Sequence, residues 1–110
     1  MLGTGLLHLM EYYISILYSE TSNIYYVGYS DDYKRRFEQH NHSEKVTFTS
    51  KHRPWILKVV YSCGSKQSEA MKIEKFIKNQ KSKKFIEKLV AAGEFTGILA
   101  QLVRVPHLRD

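Results

Sequence analysis

The sequence predicts a small α+β domain: a three-stranded sheet, antiparallel or mixed, with helices flanking it in the order ββαβαα and a last short helix behind. Three observations carry this. Two β-branched and aromatic runs, at residues 12–18 and 24–29, are separated only by the polar turn SETSN. Three later stretches open on a serine or acidic cap and continue with apolar residues at helical spacing. No repeat or Pro/Gly-rich linker divides the 110 residues, so the chain has room for one modest core.

In chain order, the paired runs form an antiparallel hairpin. Ser30 is placed to cap a first helix, with Asp31 and Asp32 in its opening turn and its end near Asn41. Residues 42–54 are a polar, basic loop. Residues 55–63 alternate as a third strand. A cap at Ser65 or Ser68 starts a second helix ending near Lys81, and Ser82 caps a third that Gly93 closes. Phe95, Ile98, Leu99, Leu102 and Val103 recur at helical spacing and predict the last helix, running up to Pro106. The organisation expected is a flexible extension over residues 1–9, the domain over 10–93, and a C-terminal helix and tail over 94–110.

Composition narrows the function classes. Hydrophobic content of 43% and charged content of 25% are those of a soluble globular protein. No apolar run approaches the roughly 20 residues of a membrane span, and MLGTGLLHLM lacks the positive n-region and small-residue cleavage site of a secretory leader. One cysteine, Cys63, forms no intrachain disulfide and excludes a cysteine-based zinc ribbon; it fits a reducing cytoplasm. The net charge of +6 is concentrated: residues 34–88 hold 15 Lys/Arg against five Asp/Glu, a local +10. Such a basic middle is expected of a phosphate-backbone partner, although a Lys-rich solvated helix face produces the same count.

Several residues could carry chemistry. In DDYKRRFEQHN, Tyr33 and Phe37 form an apolar stripe, and Arg36 and His40, also four apart, share the neighbouring face. A guanidinium beside an imidazole suits a phosphodiester, one binding its oxygens and the other moving a proton; an exposed basic helix with an incidental histidine reads the same way. In the second helix Glu74 stands at the edge of the stripe Ala70, Ile73, Ile77. It is either a boundary glutamate paired with Lys78 or the single carboxylate of a Mg²⁺ site. His40, His42 and His52 flank the loop, but no spacing recommends a zinc site. In TSKHRPW, Lys51 and Arg53 are plausible phosphate contacts, whereas Trp55 opens an apolar strand and belongs to the core. Gly28 weakens its strand and marks a close approach, leaving Tyr26 beside a glycine-floored patch where its phenol could orient a water.

These pieces resemble one family. YYVGYSDDYKRRFEQHN is similar to the second half of the GIY-YIG endonuclease signature, SEAMKIEKFIKNQKS to that family's metal-glutamate helix, and FTSKHRPWILK to its small stand-alone bacterial branch. The resemblance spans residues 12–90 and extends to the N-terminal nuclease domain of the excinuclease C subunit. It implies hydrolysis of a DNA phosphodiester with one divalent metal, Mg²⁺ or Mn²⁺, in a structure-directed repair or recombination role. Carried over by position, Tyr26 orients or activates the water, Arg36 stabilises the transition state, His40 assists proton transfer and Glu74 holds the metal. Tyr29 falls where some relatives carry a lysine near the site. With Lys51, Arg53, Lys78 and Lys81, it makes up the expected nucleic-acid contacts. The expected partner is DNA, with branched or damaged forms and RNA left open, together with a protein partner of unstated kind and no membrane.

One position departs from the pattern. The strand Tyr13-Ile14-Ser15 occupies the first motif, so Ser15 stands where the family has a tyrosine. Tyr13 shares that face but lies about 6.6 Å back along the strand. Two readings follow: an endonuclease, or a nucleic-acid-binding module on the same fold whose catalysis is attenuated or lost.

Overall fold

A computed structural model describes residues 10–91 and 95–106. Strand β1 (Tyr13–Ser19) turns back into β2 (Ile24–Ser30), helix α1 (Tyr33–His42) follows, and a 3-10 turn (Thr49–His52) leads into β3 (Trp55–Ser62). Helices α2 (Gln67–Asn79) and α3 (Lys83–Ala91) come next, then a 3-10 turn (Gly97–Leu99) and the two-residue strand β4 (Val103–Arg104). The expected extension at residues 1–9 and the Gly93 helix stop lie outside the described residues. No helix among the described residues is long and apolar enough to cross a membrane.

The sheet order is β2-β1-β3-β4 and every neighbouring pair is antiparallel. The hairpin turn forms because Asn23 accepts a left-handed conformation (φ 55°) that most residues avoid. Ser19 Oγ accepts from Ser22 N at 3.1 Å to close it.

Strand alternation gives the sheet two apolar faces. One carries Ile14, Ile16, Val27, Val59 and Tyr61 and is covered by Ala70, Ile73 and Ile77 of α2 and Leu89 of α3, which form the main core. The other carries Ser15, Leu17, Tyr26 and Gly28, and α1 lies across it. Trp55, 2% exposed, packs on this second face beside Tyr26, as its place at the head of a strand predicts.

The three helices begin in different ways. At α1 the cap is Asp32, not Ser30: Asp32 Oδ1 accepts from Arg35 N at 3.0 Å, while Ser30 ends β2 and its Oγ accepts from Asp32 N at 2.9 Å. Both acidic residues therefore precede the helix instead of lying in its first turn. α2 begins without a side-chain cap, so neither Ser65 nor Ser68 serves as one. Ser82 does cap α3, accepting from Phe85 N at 3.0 Å.

The sheet has four strands where three were expected, because the predicted last helix is a turn and a strand. Gly97 adopts φ +65°, which interrupts a right-handed helix, and glycine costs about 1 kcal/mol in a helix interior. The exposed edge of β3 then takes the chain: Val103–Arg104 pair with Tyr61–Ser62, and Val105 N donates to Val60 O at 2.8 Å. All but Val103 of the apolar residues that imitated a helix still pack in or against the core. Leu99 and Leu102 are buried, and Phe95 packs edge-on to Tyr61 at 5.2 Å.

Candidate active site

The site is a solvent-open cleft between α1 and the second sheet face, with about 260 Å³ of empty space. Its floor is set by strand register. Ser15 stands directly opposite Gly28 across the β1–β2 ladder, so two of the smallest side chains meet at one point. A Cβ on Gly28 would stand 3.3 Å from Cε2 of Tyr26, tighter than ordinary contact, so the glycine lets that ring lie over the strand. Tyr26, Arg36 and His40 rise around this floor, and all of them line the cleft with Ser15.

Tyr26 is held from several sides. His40 meets it edge-on at 5.0 Å, Trp55 lies at 6.1 Å and Phe48 is stacked at 6.2 Å. From α2, Lys78 Nζ sits 5.0 Å over the ring centroid, a cation–π contact that also puts a positive charge beside the phenol.

Arg36 projects from α1 into solvent, its guanidinium steadied by Gln39 Oε1 at 3.0 Å. One turn on, His40 is only 5% exposed, and its Nδ1 shares a hydrogen bond with Thr49 Oγ1 at 2.9 Å. Burial, then the Arg36 and Arg53 charges, pull its pKa down to about 4. At neutral pH the imidazole is uncharged, and in the tautomer that donates Nδ1–H to Thr49, Nε2 is the proton acceptor.

The loop that supplies Thr49 is clamped. Asn41 pairs with the backbone of Trp55 in both directions, Oδ1 accepting from Trp55 N at 2.6 Å and Nδ2 donating to Trp55 O at 3.0 Å. Trp55 Nε1 donates to Thr49 O at 2.8 Å. Arg53 donates to the carbonyls of His40 (2.6 Å), Ser43 (2.7 Å) and Gln39 (3.3 Å), satisfying the open end of α1. Nε and one terminal nitrogen of its guanidinium are thus engaged by the end of α1.

Glu74 lies on α2 at the outer edge of β2, not on the cleft wall. Its Oε2 accepts from Tyr29 N at 3.1 Å, satisfying an outward-facing amide of the edge strand. It also lies 3.7 Å from Lys78 Nζ. The bland pairing with Lys78 is therefore present, yet the carboxylate stays partly exposed and Oε1 has no hydrogen-bond partner among the described residues. No group of three or more His, Cys, Asp or Glu could hold a metal among them. The donor set fits a single-carboxylate site completed by water and phosphate oxygens, and fits no protein cage. His40, His42 and His52 do not converge: His40 binds Thr49, His42 approaches Glu38, and His52 Nδ1 meets Ser22 Oγ.

The remaining expected contacts divide. Tyr29 borders the cleft, but its ring packs on the main core near Tyr12, and its hydroxyl accepts from Gln67 Nε2 at 3.2 Å. Lys51 is exposed on the 3-10 turn, and Lys81 is exposed just past α2; neither lines the cleft. Tyr13 does not reach it either, since its ring packs edge-on against Tyr33 at 5.1 Å. Tyr33 does line it. The sequence pattern assigned Tyr33 only to packing and missed Thr49 altogether. A hydroxyl nine residues beyond the histidine has no periodic relation to it, and only loop closure brings the two together.

A model of the GIY-YIG catalytic domain matches residues 11–88. A UPF0213 protein of Fusobacterium nucleatum is 32% identical over 75 residues, which cover 66% of this chain and 74% of that protein. The stretch matched by the family model takes in both strands of the hairpin, the Arg36/His40 helix and the Glu74 helix. The chain belongs to the GIY-YIG catalytic domain family, a nuclease-type family.

Proposed function

We propose that the chain is a metal-dependent DNA endonuclease of structure-directed, repair or recombination type. The observation that carries the reading is the convergence of Tyr26, Arg36 and a neutral, buried His40 over the Ser15/Gly28 floor. Arg36, exposed and beside the cleft, binds the non-bridging oxygens of the scissile phosphate. It stabilises the charge that builds as a water oxygen attacks phosphorus and the sugar oxygen leaves. His40 Nε2 accepts the water's proton, with Thr49 holding the ring. The Tyr26 hydroxyl orients that water. A Mg²⁺ or Mn²⁺ held by Glu74 would supply Lewis-acid polarisation of the phosphate and the leaving oxygen. Lys78, Lys51 and Lys81 add sequence-independent attraction to the backbone.

Ser15 favours a second reading. It leaves the floor opposite Gly28 without the phenol the family motif carries, which is what a binding module with attenuated catalysis would show. Supercoiled plasmid and branched DNA, incubated with Mg²⁺ or Mn²⁺, separate the two. Nicking by the parent that is lost in Arg36→Ala and Glu74→Gln supports the endonuclease. Cleavage surviving both substitutions refutes it, and salt-sensitive binding with no cleavage favours the module.

A further inference from the structure

Beside the cleft lies a second, larger concavity with about 660 Å³ of empty space. Tyr26, Arg36 and His40 form its inner wall, and Lys45, Thr47 and Phe48 its outer one. Phe48 is the unusual member. It is 55% exposed, yet its ring is held nearly parallel to Tyr26 (30°, 6.2 Å) and against His52 at 4.7 Å. The turn that carries it is tightly built. Thr47 N donates to Ser50 Oγ at 2.8 Å, Ser50 N to Thr47 Oγ1 at 3.3 Å, and Lys51 N to Phe48 O at 3.2 Å. Neighbouring Val46 is 82% exposed. A rigid turn thus presents a half-exposed aromatic ring on the rim of the concavity, next to the groups that would grip a phosphate.

We propose that this concavity receives an unpaired nucleobase flanking the scissile phosphate, stacked on the exposed part of the Phe48 ring, with Lys45 on an adjoining phosphate. The inference rests on the nuclease reading of the neighbouring cleft and specifies its substrate. In an intact duplex both faces of a base are covered by its neighbours, so only a single-stranded, flapped or extruded base offers a ring to Phe48. Such stacking tolerates any base and reads structure, not sequence.

The test uses the full chain in EDTA, so that binding is read without turnover. The probe is a single-stranded oligonucleotide carrying 2-aminopurine, with the same sequence as a blunt duplex for comparison. The parent should quench the fluorophore in the single strand and not in the duplex. Phe48→Ala should bind the single strand about 5- to 150-fold more weakly, the range typical of one lost base stack, with duplex affinity unchanged. Phe48→Leu keeps apolar bulk without a π-face and should lose the quench, and Phe48→Trp should restore it. Equal single-strand affinity in Phe48→Leu and parent, or equal losses on both probes, overturns the proposal. Cleavage that depends on Arg36 but is indifferent to Phe48 removes the subsite alone. A Phe48-dependent quench in a protein that never cleaves keeps the subsite and removes the nuclease reading.

Discussion

His40 gives a prediction whose size follows from its surroundings. In the folded protein its pKa lies at about 4; in the unfolded chain it returns to about 6.5. Between these values the unfolded state binds more protons, so the stability gained by burying the ring uncharged is complete above pH 6.5. It is lost as pH falls towards 4. The linkage relation puts the loss at roughly 2 kcal/mol by pH 5 and roughly 3 kcal/mol by pH 4. The perturbation is His40→Gln, which cannot titrate and retains a partner for Thr49. Urea unfolding at pH 7 and pH 5 measures it: the parent should lose about 2 kcal/mol more than the variant, an extra fall in Tm of roughly 8–16 °C for a domain of this size. Using pH 5 keeps most carboxylates ionised in both proteins. If the two stability profiles run parallel from pH 7 to pH 5, His40 titrates like an exposed imidazole. The neutral base assigned to the cleft is then wrong. If the protein cleaves DNA, the acid limb of kcat/KM should likewise fall near pH 4 instead of near 6.5.

Five other outcomes are expected. Arg36→Ala should lower kcat for DNA cleavage by about 10²- to 10³-fold with little change in the urea midpoint, because its guanidinium is exposed. Glu74→Gln keeps an acceptor for Tyr29 N, so cleavage should disappear while thermal melting stays close to the parent's. Arg53→Ala should cost about 1–3 kcal/mol in urea unfolding, by opening the end of α1, and leave the salt dependence of DNA binding unchanged. Lys51→Ala should show the reverse pattern: unchanged stability and a salt slope reduced by about 1. Ser15→Tyr places a phenol opposite Gly28 and should raise cleavage, by up to about 10²-fold; equal rates would assign the second phenol to another group, with Tyr33→Phe as the next variant to assay.

Much of the site was legible along the chain, where local rules govern. Arg36 and His40 are four apart on one helix, and any helix puts them side by side. Tyr26 and Gly28 share a strand face whatever the strand pairs with. Glu74 interrupted an apolar stripe, and a carboxylate there had to meet a partner. What the chain did not show lies where the deciding contact is distant in sequence. Phe95 to Val103 have helical periodicity, yet Gly97 and the open edge of β3 make the segment a turn and a strand. Arg53 reads as one more cation in a basic loop until folding brings three helix carbonyls within its reach.

By itself, then, the sequence put Arg36 beside His40 on one helix and Tyr26 beside Gly28 on one strand face, because helix and strand periodicities act over four residues or fewer. It determined the departure at Ser15 too, since motif spacing needs no coordinates. Only the tertiary structure decided the rest. It set Ser15 against Gly28 through strand register, buried His40 against Thr49 so that burial and two arginines hold it neutral, and turned Glu74 to the β2 edge. It also left Phe48 half-exposed on the rim of the neighbouring concavity. Each of these is settled by register, burial or loop closure, which depend on residues far apart in the chain meeting in space.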